Sequence, residues 1–119
     1  MAIAPLTATS AQIGLDTFVV SLHGELDLHT ASTFEHRLQE ALDEGARRVV
    51  IDLVGVTFLD SVALGVLTRG AKRLRMVKGE CVVVCDDPRV LRVFEITGLE
   101  RIFAVERSMA EAVDWLVGA

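Results

Sequence analysis

Residues Arg48 to Val54 carry Val49, Val50, Ile51, Leu53 and Val54, a nearly unbroken run of aliphatic side chains, most of them β-branched. Such a run suits a strand buried on both faces, so the chain is expected to build a sheet with other elements packed above and below it. The flanking segments alternate in period. Asp16 to Gly24 places Phe18, Val20 and Leu22 at every second position, the pattern of a strand with one buried face. Thr30 then stands where a helix cap is needed, ahead of Ala31, Phe34, Leu38, Ala41 and Leu42 at helical spacing, with Gly45 as the stop. After the central run, a short loop through Gly55 and Thr57 is expected to lead into Phe58-Leu59-Asp60-Ser61. From there Leu64, Leu67, Ala71 and Leu74 follow helical spacing to an exit at Gly79.

Cys81 to Cys85 reads as another apolar strand, and strand, helix, strand in that order builds a right-handed crossover between parallel strands. Asp87-Pro88 opens a helix carrying Val90, Leu91 and Phe94 and ending at Gly98, and Ile102 to Val105 is expected as an edge strand. Ser108 and Glu111 have capping-box spacing, with Met109, Ala112, Val113 and Leu116 as the apolar stripe of a last helix. Leu6 to Ile13 is either a flexible lead-in or an edge strand. The fold class is therefore α/β, one domain over 1–119 with its core at about 16–117, about four to five strands and about four helices. No internal repeat or low-complexity tract interrupts it.

Composition narrows the function. Hydrophobic residues make up 51% of the 119 residues, which excludes intrinsic disorder, yet no apolar stretch approaches the ~18 residues of a membrane span. Met1 to Gly14 lacks a basic region followed by an apolar block, so a soluble, cytoplasmic chain without membrane attachment is expected. A net charge of −5, from 17 acids against 12 Lys and Arg, offers no uniform field for phosphates, and direct nucleic-acid binding is not expected. Cys81 and Cys85 would face one side of a strand about 13 Å apart, too far to pair within it, and are read as small buried hydrophobes.

Candidate chemistry concentrates at Asp60-Ser61. A serine hydrolase elbow would flank its nucleophile with glycines, whereas here Leu59 and Ala63 stand in those places, and nothing puts His23, His29 or His36 beside Ser61 as a base. Neither Asp27 with His29 nor Cys81 with Cys85 has a recognised ligand spacing, so no metal is expected, and without a glycine-rich phosphate loop no cofactor is expected either. Ser61 is set at the N-terminal end of a helix whose far end collects Arg69, Lys72, Arg73, Arg75 and Lys78, an order that suits the helix dipole. Those cations could meet acids on a partner or simply form a solvated face. Asp60-Ser61 could itself be no more than a helix cap.

Several motifs in order suggest more. Gly24-Glu25-Leu26-Asp27, Thr30-Ala31, Asp52-Leu53, Val56-Thr57-Phe58-Leu59-Asp60-Ser61, Leu64-Gly65-Val66-Leu67 and Ile96-Thr97-Gly98-Leu99 together resemble the bacterial anti-sigma factor antagonists, which are STAS domains with a mixed sheet. The resemblance runs from about Phe18 to the C-terminus. It implies a regulator, not a catalyst. In the family the unphosphorylated antagonist binds an anti-sigma factor, usually also a serine kinase, and frees a sigma factor; phosphorylation of a serine at a helix start breaks the complex, and a phosphatase restores it. Ser61 matches that serine. Asp27 and Asp60 match acids that assist kinase recognition, and Thr30, Val62, Ala63 and Leu64 complete the implied partner surface, with a weak homodimer as a further possibility. Thr57 is a second hydroxyl in the same stretch. This chain departs from the family's pattern at Val62-Ala63, where a hydroxyl and a glycine are common, which leaves open a second reading as a STAS scaffold or sensor subunit that is not phosphorylated.

Overall fold

A computed structural model describes residues 6–118. The elements are β1 (Thr7–Gln12), β2 (Thr17–Leu26), α1 (Ala31–Asp43), β3 (Arg48–Leu59), α2 (Ser61–Met76), β4 (Glu80–Val84), α3 (Pro88–Thr97), a 3-10 turn (Leu99–Arg101), β5 (Ala104–Glu106) and α4 (Met109–Gly118). The sheet order is β1-β2-β3-β4-β5, with β1 antiparallel to β2 and every other neighbouring pair parallel. The segment left open between lead-in and strand is thus an edge strand, and β3 is the central strand that the aliphatic run demanded.

Alternation along the strands divides the core in two. Phe18, Val20, Leu22, Val49, Ile51, Leu53 and Val83 join Phe34 and Leu38 of α1, Leu64, Leu67 and Leu74 of α2, and Val90 and Phe94 of α3 in one cluster. Val19, Val50, Val82 and Val84 point the other way and meet Ala112 and Leu116 of α4. Both faces of the central strands are covered, which is why Val49, Val50 and Ile51 are all 0% exposed.

The structure corrects the reading of β3. No loop follows Val54; the strand continues to Leu59 and takes up extra residues against β2. Ser21 pairs with Asp52 but His23 with Gly55, and Gly24 pairs with Val56 but Glu25 with Phe58, which leaves Thr57 as a bulge residue. Each insertion shifts the alternation, so that Val56 and Leu59 return to the face already occupied by Ile51 and Leu53. Gly55 is small because the His23 imidazole lies where its side chain would be, not because it turns the chain.

Other boundaries move less. Lys78, at φ 57, takes the left-handed conformation at the exit of α2 that was assigned to Gly79. Gly98 does end α3 in that conformation, at φ 74. Ile102 lies before β5 and is exposed, and Val113 on α4 is exposed rather than part of the stripe, because α4 meets the sheet through Ala112 and Leu116 with Met109 and Trp115 beside them. Ser108 Oγ accepts from Glu111 N–H at 3.2 Å, while the Glu111 carboxylate accepts from Arg107 N–H, one residue earlier than a standard capping box. Among the described residues no helix is long and apolar enough to cross a membrane.

Two of the α2 cations have partners within the chain. Arg69 pairs with Glu35 at 2.9 Å and Arg73 with Asp43 at 3.0 Å, both bridging to α1 at the surface. Beneath them α1 and α2 approach closely at Gly70, where a side chain would run into Leu38.

Candidate functional site

At the carboxyl end of β3 the chain turns straight into α2, and Asp60 makes the turn. Its backbone is extended, and its Oδ1 accepts from Val62 N–H at 3.0 Å and Ala63 N–H at 3.1 Å, so it is the N-cap of α2. Its Oδ2 accepts from Leu28 N–H at 2.9 Å, which ties in the loop between β2 and α1. The Asp60 N–H donates to the Leu26 carbonyl at 3.2 Å, continuing the β2–β3 pairing into the turn.

Ser61 is therefore the first helical residue rather than the cap, and it is exposed. Among the described residues its hydroxyl forms no hydrogen bond. The Val62 and Ala63 N–H groups at this helix start are already taken by Asp60. Val62 is 40% exposed, whereas Ala63 is 0% and Leu64 8% exposed. Of the three residues after the serine, only Val62 presents much of its surface to solvent; Ala63 and Leu64 seat α2 against the core.

The β2–α1 loop is held by Asp27 and Thr30. Asp27 Oδ1 accepts from His29 N–H at 2.8 Å and from Thr30 N–H at 3.1 Å. Thr30 stands at the cap position of α1, but its hydroxyl does not cap the helix: it accepts from Asp27 N–H at 2.9 Å and donates to the Glu25 carbonyl at 2.8 Å. The threonine closes the loop backwards onto β2. Asp27, Thr30, Asp60 and Ser61 thus belong to one hydrogen-bonded corner formed by two chain segments.

Two exposed apolar residues of this corner were not among the site residues expected from the sequence. Leu28 is 65% exposed beside the Asp60 carboxylate, and Phe58, 45% exposed, is the penultimate residue of β3. An apolar residue between Asp27 and His29, with no helical or strand partner, was the available signal for Leu28. Phe58 and Thr57 also line a groove of about 380 Å³ that runs to Arg89 and Val93 on α3. There Arg89 forks onto Asp87, with Nε–Oδ1 at 3.1 Å and Nη2–Oδ2 at 2.7 Å, and Asp87 also caps α3. The Arg89 side chain and backbone hydrogen bonds hold the Asp87 carboxyl down to about 2.

The cysteines behave as the small apolar residues expected. Both are free and share the α1–α2 side of the sheet, and burial pushes the Cys81 thiol up to about 12 and the Cys85 thiol up to about 11, with Asp86 adding to the second. Among the described residues no three His, Cys, Asp or Glu side chains stand close enough to hold a metal ion.

A strand-end serine on the first turn of a helix, in a five-stranded sheet of this order, can be compared with known proteins. A family model described as the STAS domain matches residues 8–112. The chain belongs to the STAS domain family. This STAS domain is 38% identical over 94 residues to BtrV of Bordetella bronchiseptica, provisionally named an anti-sigma factor antagonist, covering 79% of this chain and 81% of that one. It is 32% identical over 88 residues to the anti-sigma-B factor antagonist of Staphylococcus aureus, covering 74% and 82%. The crystal structure of an anti-sigma factor antagonist from Mycobacterium paratuberculosis superposes with a TM-score of 0.84 at 30% identity, over 94% of this chain and 96% of that one. The five-stranded mixed sheet with four helices is thus the family's fold as well as this chain's.

Proposed function

We propose that this STAS domain is a cytoplasmic anti-sigma factor antagonist: it binds an anti-sigma factor, frees a sigma factor for transcription, and is released when Ser61 is phosphorylated. The observation that carries this reading is the exposed Ser61, the first residue of α2, next to Asp60, whose carboxylate holds the backbone of two exposed apolar residues, Leu28 and Val62. The names of its relatives support the antagonist role.

The anti-sigma factor is also the serine kinase. The γ-phosphoryl group of ATP passes to Ser61 Oγ, the hydroxyl proton is released and ADP leaves; a phosphatase reverses the modification by hydrolysis. The chain is a substrate in this cycle and not a catalyst. Leu28, Ser61 and Val62 touch the partner, Asp27, Thr30 and Asp60 shape the corner, and Ala63 and Leu64 hold α2 in place beneath it. A phosphate brings about −1.5 to −2 charges onto this surface. In a desolvated interface an unpaired dianion is costly, and a loss of only ~3 kcal/mol weakens a complex more than a hundredfold.

Incubation with the cognate anti-sigma kinase and ATP, followed by mapping of the phosphate by mass spectrometry, tests the assignment. Modification at Ser61 that is absent in Ser61→Ala is expected. An active kinase that leaves Ser61 unmodified would instead favour the scaffold reading.

A further inference from the structure

One carboxylate joins the two segments of the Ser61 corner. Asp60 Oδ1 is committed to Val62 N–H and Ala63 N–H, and Oδ2 to Leu28 N–H. Among the described residues, Asp60 is the only acceptor for the Leu28 N–H, and the Leu28 side chain beyond it is largely in solvent. The position of the Leu28 backbone therefore depends on where the Asp60 carboxylate points.

The geometry points to Asp60 as a positioning residue that carries the charge state of Ser61 to the β2–α1 loop, an inference that rests on the reading of Ser61 as a phosphorylated residue. A phosphate on the first residue of a helix seeks the backbone N–H groups of the first turn. At α2 those are Val62 N–H and Ala63 N–H, the two donors that Asp60 already holds. The dianion has the greater charge and three acceptor oxygens, and it repels the carboxylate next to it. Asp60 yields the donors and turns away, and Leu28 N–H loses its acceptor. The exposed Leu28 then loses the bond that ties it to the start of α2. The charge thus acts twice, by its own repulsion and by dismantling the surface beside it.

Amide hydrogen exchange resolved by NMR tests this on the free chain. Three samples suffice: the wild type, the protein with phosphoserine placed at position 61 during synthesis, and Asp60→Asn. Asparagine keeps an oxygen for the cap but turns the second oxygen into an N–H₂ group, which cannot accept from Leu28 N–H. Leu28 N–H is expected to exchange about fivefold faster in both altered proteins, the scale of one lost surface hydrogen bond. Val62 and Ala63 N–H should stay protected in both, by the asparagine oxygen in one and by the phosphate in the other. A purely structural role for Asp60 would slow or speed exchange across the domain, not at Leu28 alone. Unchanged or slower exchange at Leu28 in the phosphoserine protein overturns the inference, and that arm stands even if Asp60→Asn fails to fold. Because no kinase is used, a kinase that ignores Ser61 would refute the proposed function and leave this measurement untouched. Unaltered Leu28 exchange would refute the coupling and leave a switch by charge alone.

Discussion

Removing the Asp60 carboxylate takes away the cap of α2 and the acceptor of Leu28 N–H together. Asp60→Ala should therefore lose about 1 kcal/mol or somewhat more in urea unfolding, the usual cost of an N-cap, while Asp60→Asn, which keeps the cap and gives up only the bond from Leu28 N–H, should lose less. Equal losses in the two variants would show that the cap contributes nothing particular. Asp87 makes a prediction about pH. Its hydrogen bonds with Arg89 lower its carboxyl from 3.8 to about 2. A lowered carboxyl stabilises the fold above its ordinary value and loses that contribution as the pH falls through its folded value. Thermal melts should thus show a decline between about pH 4 and pH 2 that is shallower in Asp87→Asn, small in size because the Arg89 side chain of the pair is exposed. Both caps were legible, since an acid directly before a helical pattern has few other uses. The reversed hydroxyl of Thr30 was not, because its acceptor, the Glu25 carbonyl, is placed by the end of β2 and not by the helix pattern that follows.

Element boundaries failed where two strands differ in length. Gly55 and Thr57 carry turn-like signals, but the first makes room for His23 and the second is the extra residue of a bulge, so β3 runs through both. A single-strand pattern cannot register this, because a bulge is defined only against the neighbouring strand. The helices were easier to read, since their apolar stripes depend on their own spacing, and α1, α2 and α3 bury the residues expected of them except Leu42 and Leu91, which are half-buried at the edge of the core. What spacing could not reveal was the contact between α1 and α2 at Gly70. Gly70→Leu should force Leu38 aside and cost about 1–3 kcal/mol, as overpacking of a core does. Calorimetry of the Leu38→Ala, Gly70→Leu pair should recover part of that loss relative to the sum of the single variants. Simple additivity would mean that the helices do not meet there. The ion pairs Arg69–Glu35 and Arg73–Asp43 cross the same seam but lie at the surface, where such pairs contribute about 1 kcal/mol or less.

At the scale of the molecule, the sheet separates two buried layers from the exposed corner at its carboxyl end. Its interior layers hold the aliphatic core and Cys85, with Cys81 half-buried against them, and the corner at the end of β3 holds the exposed Ser61. With thiols pushed up to about 12 and 11, Cys81 and Cys85 should resist iodoacetamide at pH 8 in the native protein and react in urea. Rapid native labelling would show that at least one of them is reached by solvent as a reactive thiolate. The raised thiols also make stability full below about pH 9 and declining as the pH climbs towards those values. The fold class and the serine were visible in the sequence because each rests on local pattern and on several motifs in order. The apolar flanks Leu28 and Phe58 were not, since it takes the folded corner to leave them in solvent. The account therefore turns on whether that corner binds an anti-sigma factor in a manner set by the charge on Ser61. Titration calorimetry of the cognate anti-sigma factor against the unmodified and the Ser61-phosphorylated chain measures this directly. Tight binding of the unmodified chain and a loss of more than about a hundredfold on phosphorylation are predicted; equal affinity for both forms would contradict the account.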